Sequence, residues 1–187
     1  MNKSCVPEFN LVMDFKRPGL IAVAGLHVSS ITPRTQSETE DAVYFVNERV
    51  TGISGEAHVK YAKENWLVSA KTVLGTKLTQ TSTVGGYGIT SIDEVTGKQL
   101  YSPLRTSSTW VNVAYGKKWR PALFFGYLKN LGAAKEVPYG TLGTGTTLDQ
   151  LFTGTAELTY NIPHWKFGVE YSLCNAWYGD EFDAKAK

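Results

Sequence analysis

The chain has 187 residues and 20.6 kDa, enough for one domain with a sizeable core, and carries a formal net charge of +2 with a pI near 8.4. Its Lys and Arg are scattered rather than clustered, so nucleic acid is set aside as a partner. No apolar run approaches the ~18–20 residues of a spanning helix, which excludes a helical membrane protein. Spanning strands remain open, because their alternation hides hydrophobicity and is compatible with a mean hydropathy of −0.19.

The first stretch, MNKSCVPEFN, lacks the apolar h-region of a secretory signal, so the expectation is either a cytosolic chain or one whose true beginning is missing. Cys5 and Cys174 are too few for a disulfide framework and show no CxxC or Cys/His ligand spacing, and both are read as unpaired structural residues. Aromatics at 12% and 18 glycines suit β-structure with glycine and proline at its turns. A period-two alternation then recurs in eight runs, 9–17, 19–33, 53–63, 65–79, 107–118, 120–132, 149–162 and 165–178. The pair in LFTGTAELTYNIPHWKFGVEYSL is the clearest, with Phe152, Ala156, Leu158, Tyr160, Phe167, Val169, Tyr171 and Leu173 on one face and a break at Pro163.

The connections alternate in length. Short turns fall near 16–19, 62–65, 116–120 and 162–165, while the connections 34–52, 81–107 and 133–148 are long. Short turns at one end and long loops at the other is how an outer-membrane barrel is built. The aromatics agree with a bilayer: Phe15, Tyr61, Tyr115 and Tyr160 precede short turns, Trp66, Trp119 and Trp165 follow them, and Trp110, Trp177 and Tyr178 are expected to form a second girdle at the long-loop end. The opposite face carries Asp14, Lys16, Glu56, His58, Lys60, Lys71, Asn112, Glu157, Lys166 and Glu170. Four acids and four bases on one face demand water, since each ion would cost several kcal/mol to desolvate in a packed core. Ile21, Val23, Phe124 and Leu128 break the pattern on that face, and Lys129 breaks it on the other.

The stretch GGYGITSIDEVTGKQLYSP followed by TSSTWVNVAYGKKWRPALFFGYLKNLGA, with VNERVTGISGEAHVKYAKENWLVSAKTVLG and FGVEYSLCNAWYGD, resembles Bacteroidetes outer-membrane porin-type proteins of the DcaP-like group. The YGKKW turn between alternating strands, the second ending in GYLKNLG, is the most specific element. The resemblance implies a larger barrel, commonly a homotrimer, with a signal peptide and further strands ahead of this part. The chain departs from that pattern in having neither a signal nor a final strand with a terminal aromatic residue.

Other chemistries fit less well. Gly85-Gly86-Tyr87-Gly88 lacks the Lys-Ser/Thr of a phosphate loop, and no GxSxG elbow occurs. His27, His58 and His164 lack metal spacing, and Glu157 with Glu170 reads more simply as part of a charge ladder than as a glycosidase couple. The expectation is therefore an all-β, antiparallel up-and-down transmembrane barrel segment over residues 1–187, about eight strands of a larger barrel, in a Gram-negative outer membrane. It would be a non-enzymatic channel passing small hydrophilic solutes, without cofactor or metal, with pore-lining Asp14, Lys16, Glu56, His58, Lys60, Lys71, Asn112, Glu157, Lys166 and Glu170. The alternative is a small closed barrel acting as a ligand-binding or surface-adhesion module. Since the first run descends to a short turn and the eighth rises from one, at least one further strand is expected before Phe9 and one after Asp180.

Overall fold

A computed structural model describes residues 6–40, 42–78 and 83–179; Cys5, Thr79 and Asp180 lie outside the described residues. The strands in chain order are β1 (Phe9–Arg17), β2 (Leu20–Ile31), β3 (Gln36–Glu38), β4 (Val43–Phe45), β5 (Val50–Lys63), β6 (Trp66–Thr76), β7 (Gly85–Ile92), β8 (Gln99–Tyr115), β9 (Trp119–Ala133), β10 (Thr141–Thr144), β11 (Leu148–Ile162) and β12 (Trp165–Tyr178). The principal sheet runs β1-β2-β5-β6-β8-β9-β11-β12, each strand antiparallel to its chain neighbour in that series, and β3 pairs β4 separately. This is an up-and-down meander. β1 and β12 stand at its two ends and do not pair with each other, so among the described residues the sheet is open rather than closed.

The four hairpins turn within two or three residues because their sequences supply the required backbone. Pro18-Gly19 places proline's fixed φ ahead of Gly19 at φ 77°, the arrangement of a type II turn, and a Cβ on Gly19 would lie 2.5 Å from the Ala62 carbonyl oxygen. At the last hairpin Pro163 precedes His164, which takes φ 69° without being glycine. Such a residue bears a left-handed conformation at about 1–2 kcal/mol.

At the opposite end the long connections are structured. Residues 81–107, expected to be a loop, instead contain β7 and the upper part of β8, which begins at Gln99 rather than 107. The lower part of β8 pairs β6 and β9, while Gln99–Pro103 pairs β7. β10, from the β9–β11 connection, reaches across to the free side of β7, with Leu142 opposite Tyr87. Glycines concealed β7 from a pattern search because they carry no side chain to alternate. They also permit the approach, for a Cβ on Gly86 would strike the Leu142 carbonyl oxygen and one on Gly88 would strike the Val137 side chain. Val46, Val50, Leu78, Ile89, Leu104, Ala133 and Leu148 are buried here. The apolar core therefore sits among the loops, at the end of the sheet remote from the hairpins.

Candidate functional site

Pairing register fixes which side chains share a face. One row crosses the sheet through Phe15, Ala22, Val59, Ala70, Val111, Phe125, Gly154 and Leu173; the row on the other face one step away holds Lys16, Ile21, Lys60, Ser69, Asn112, Phe124, Thr155 and Ser172. Asp14, Lys16, Glu56, His58, Lys60, Lys71, Asn112, Glu157, Lys166 and Glu170 all lie on this second, polar face.

Exposure is the reverse of a soluble sheet. Along β9 the apolar-face residues Trp119, Pro121, Leu123, Phe125 and Tyr127 are exposed, while the intervening Arg120, Ala122, Phe124 and Gly126 are half-buried and Leu128 is buried. Phe125 is 51% exposed and Val169 73%. Burying a side chain of that size is worth about 1.5–3 kcal/mol, so this face leaves unused the largest stabilising term available to it in water. Apolar character runs to both edge strands, through Phe9, Leu11, Met13 and Phe15 on β1 and Phe167, Val169, Tyr171 and Leu173 on β12. Neither edge carries a bulge or an apolar-face charge to discourage pairing over these residues.

The apolar face has polar limits. Phe15, Tyr61, Trp66, Tyr115, Trp119, Tyr160 and Trp165 all stand on it beside the hairpins. They pair across strands: Trp66 and Tyr115 have ring centroids 4.7 Å apart, and Trp119 and Tyr160 4.5 Å. Arg17 lies 5.1 Å over the Phe15 ring and Lys118 5.4 Å over Tyr160, where each cation gains from the ring face and stays near water. At the other limit stand Lys129, Gln150 and Asn175. From Trp119 to Lys129 is ten residue steps along β9. At about 3.3 Å per step and a tilt of roughly 45°, the band between these limits is about 23 Å tall.

The second girdle expected at the long-loop end is only partly present. Trp177 shares the apolar face, but Tyr178 is on the opposite side of β12 and Trp110 lies on the polar face. Ile21, Val23, Phe124 and Leu128 also lie there, and Lys129 on the apolar face reaches Asp149 at 3.8 Å. Trp110 and Phe124 explain each other: their centroids are 5.9 Å apart, and His58 lies 6.1 Å from the Trp110 ring. Gly126, opposite Trp110 in the β8–β9 pairing, clears the space. A Cβ there would lie 3.1 Å from Phe124 Cε1 and 3.3 Å from Cζ, so the glycine makes room for that edge of the Phe124 ring.

Charges on the polar face are mostly paired. Lys16 meets Asp14, Lys71 Nζ lies 2.7 Å from Glu56, and Lys166 Nζ 3.7 Å from Glu157. Glu157 and Glu170 are directly opposite, a like-charge pair that costs stability. Lys166 on the first and a hydrogen bond from Ser172 Oγ to Glu170 at 3.1 Å offset it. A recess of about 230 Å³ between them is lined by Asn112, Ala122, Phe124, Thr155, Glu157 and Glu170. A larger one of about 400 Å³ lies towards β1, where Leu78 and Thr83 beyond β6 share the lining with Glu8, His27, Glu56 and Lys71. The free thiol of Cys174 is exposed on the same polar face.

Two polar features of the long-loop end escaped pattern reading because they depend on tertiary contact. Lys77 is 2% exposed, its Nζ has no hydrogen-bond partner among the described residues, and burial draws its amine below the ordinary lysine range against the raising influence of Glu8. In the β7–β8 turn Asp93 Oδ1 accepts hydrogen bonds from Thr96 Oγ1 and N at 2.7 Å and from Val95 N at 3.2 Å. The Thr96 hydroxyl first, then its amide, hold this carboxyl below the usual range. Ser37 Oγ and Arg34 Nη2 donate to the Gly97 carbonyl at 3.0 and 2.6 Å, tying the turn to the β3 segment.

Among the described residues no group of three or more His, Cys, Asp or Glu could hold a metal ion, and no helix is long and apolar enough to cross a membrane, which says nothing of crossing by strands. In the comparisons with known proteins, no family model, curated protein or solved structure matches this chain.

Proposed function

We propose that the sheet is wall of a transmembrane β-barrel in the outer membrane of a Gram-negative cell, a porin-like channel through which small hydrophilic solutes diffuse passively. One observation carries this: along β9 the Trp, Leu, Phe and Tyr side chains of the apolar face are exposed while the alternate positions are half-buried, and large apolar side chains stay exposed on that face from β1 to β12. In water that arrangement forfeits burial energy on one side and burdens the other with charge; with lipid outside and water inside, both costs vanish. The band of about 23 Å between aromatic and polar limits is close to the ~25 Å apolar height of such barrels. Closure requires β1 and β12 to be paired, by each other or by further strands, because an unpaired backbone group facing lipid costs several kcal/mol. Mixed, paired charges, with Leu78 and Thr83 lining the same recess as Glu56 and Lys71, would narrow the passage without imposing strong ion selectivity.

Cys174 supplies the test. In bilayers, a membrane-impermeant thiol reagent should label it in a Cys5→Ser variant, with rates that fall as the reagent grows. Labelling only by lipid-soluble reagents, or rates indifferent to size, would contradict a water-filled passage along the polar face.

A further inference from the structure

We propose that Trp110 and Phe124 form a stacking platform for a neutral sugar ring on the polar face, with Asn112, Glu157 and Glu170 binding its hydroxyls. The inference rests on that face being the wet one.

Large rings are out of place on a solvated wall unless they meet something apolar. Trp110 and Phe124 do not meet a core: both are half-exposed, and their planes lie 35° apart at a centroid distance of 5.9 Å. Phe124 approaches Gly126 through its Cε1 and Cζ atoms, and its ring lines the neighbouring recess. A flat aromatic face in water offers an apolar patch to another flat surface. The recess of about 230 Å³ beside it supplies the opposite chemistry, two carboxylates, the Asn112 amide and the Thr155 hydroxyl. A pyranose has both halves: axial C–H groups that lie on a ring face, and a rim of hydroxyls that donate to carboxylates and exchange hydrogen bonds with an amide.

The charge state favours a neutral guest over an organic cation. Glu157 already faces the Lys166 ammonium, and Glu170 already accepts from Ser172, so a cation would have to displace Lys166 to claim the pair. Hydroxyls add donors to lone pairs still free, without removing either partner. On the other side of Trp110, the register partner Lys71 is held by Glu56 and does not compete for the ring.

The test is calorimetric titration of the chain in lipid nanodiscs with glucose-, mannose-, galactose- and xylose-based trisaccharides, and with choline as the cationic probe. At least one trisaccharide should bind saturably and choline should not. Trp110→Ala and Phe124→Ala should each weaken saccharide binding by about tenfold or more, whereas Trp110→Phe and Phe124→Tyr stay within about threefold, with the β-sheet circular dichroism unchanged. No saccharide binding, binding that both alanine variants retain, or choline binding in its place would overturn the proposal. The fluorescence difference between the parent chain and Trp110→Phe separates the two levels of inference. Quenching of Trp110 by brominated lipid would remove the wet face and the site together; quenching by iodide without saccharide binding would remove the site alone.

Discussion

Val111 and Asn112 are neighbours on β8 with opposite surroundings, and arginine placed at each in turn isolates the effect of facing. Val111 is flanked in register by Ala70 and Phe125 on the exposed apolar face, and Asn112 by Ser69 and Phe124 on the polar one. Val111 stands four residues from Tyr115 in the aromatic row, about 13 Å along the strand and roughly 9 Å in depth at a tilt of about 45°. That is near the middle of a band about 23 Å tall, where arginine on a lipid face costs about 2–4 kcal/mol. Val111→Arg should therefore lower the unfolding free energy in lipid vesicles by that amount, read from the shift of a reversible urea transition at constant slope. Asn112→Arg should change it by under about 1 kcal/mol, since the group stays in water. Arginine at Tyr115, on the same face at the band's limit, should cost only about 0–1 kcal/mol. Equal penalties at Val111 and Asn112 would refute the assignment of faces. Equal penalties at Val111 and Tyr115 would show that a protein partner, not a bilayer, covers the apolar side.

Four other outcomes follow from particular contacts. His164→Gly should raise stability by about 1 kcal/mol by relieving a left-handed non-glycine residue, and an unchanged urea midpoint would show the turn unstrained. Lys77 has its folded pKa drawn below the unfolded value, so the unfolded chain holds more protons as pH climbs toward the lysine range and folding strengthens with pH there; Lys77→Met should be more stable than the parent at neutral pH and abolish that rise, measured by thermal unfolding across alkaline pH. Asp93 is shifted the other way, so its contribution is present above the ordinary carboxylate range and lost as pH falls through the lowered value; amide protection factors in β7 and β8, taken relative to the intrinsic exchange rate at each pH, should fall below about pH 4 in the parent, and already be lower at neutral pH in Asp93→Asn. With β1 and β12 unpaired, residues 1–187 alone in planar bilayers should give no stable, uniform conductance steps, and reproducible channels of one size would mean that the two edges close on each other.

The sequence made the membrane-scale pattern legible and the loop end illegible, for physical reasons. Strands such as β11 and β12 alternate over 14 or 15 residues with large side chains, and period two can be counted directly. β7 reads GGYGITSI, in which three glycines erase the pattern and the pairing depends on backbone approach to β10 and Val137. The charged residues of the polar face could be assigned by parity alone, because each lies on a long regular strand. Trp110 could not be interpreted that way. Its position near a long connection suggested an interfacial ring, but the register puts it with Lys71 and Gly126 on the polar face, where its ring neighbour is Phe124 at a centroid distance of 5.9 Å. The pairing of Glu157 with Glu170 depended on the register of one hairpin, which the two-residue turn at Pro163-His164 specifies, whereas Lys77 is buried beside Gly52 of β5 and the Leu104 carbonyl of β8, neighbours distant in sequence.

The most direct measurement is a cysteine scan along β9 from Arg120 to Tyr127 in a Cys5→Ser, Cys174→Ser background, each position carrying a fluorophore in bilayers of brominated lipid. Pro121, Leu123, Phe125 and Tyr127 should be quenched by the lipid, and Arg120, Ala122, Phe124 and Gly126 by aqueous iodide, with a period of two throughout. Quenching without alternation, the reverse phase, or odd positions shielded from both quenchers would contradict a sheet that separates lipid from water.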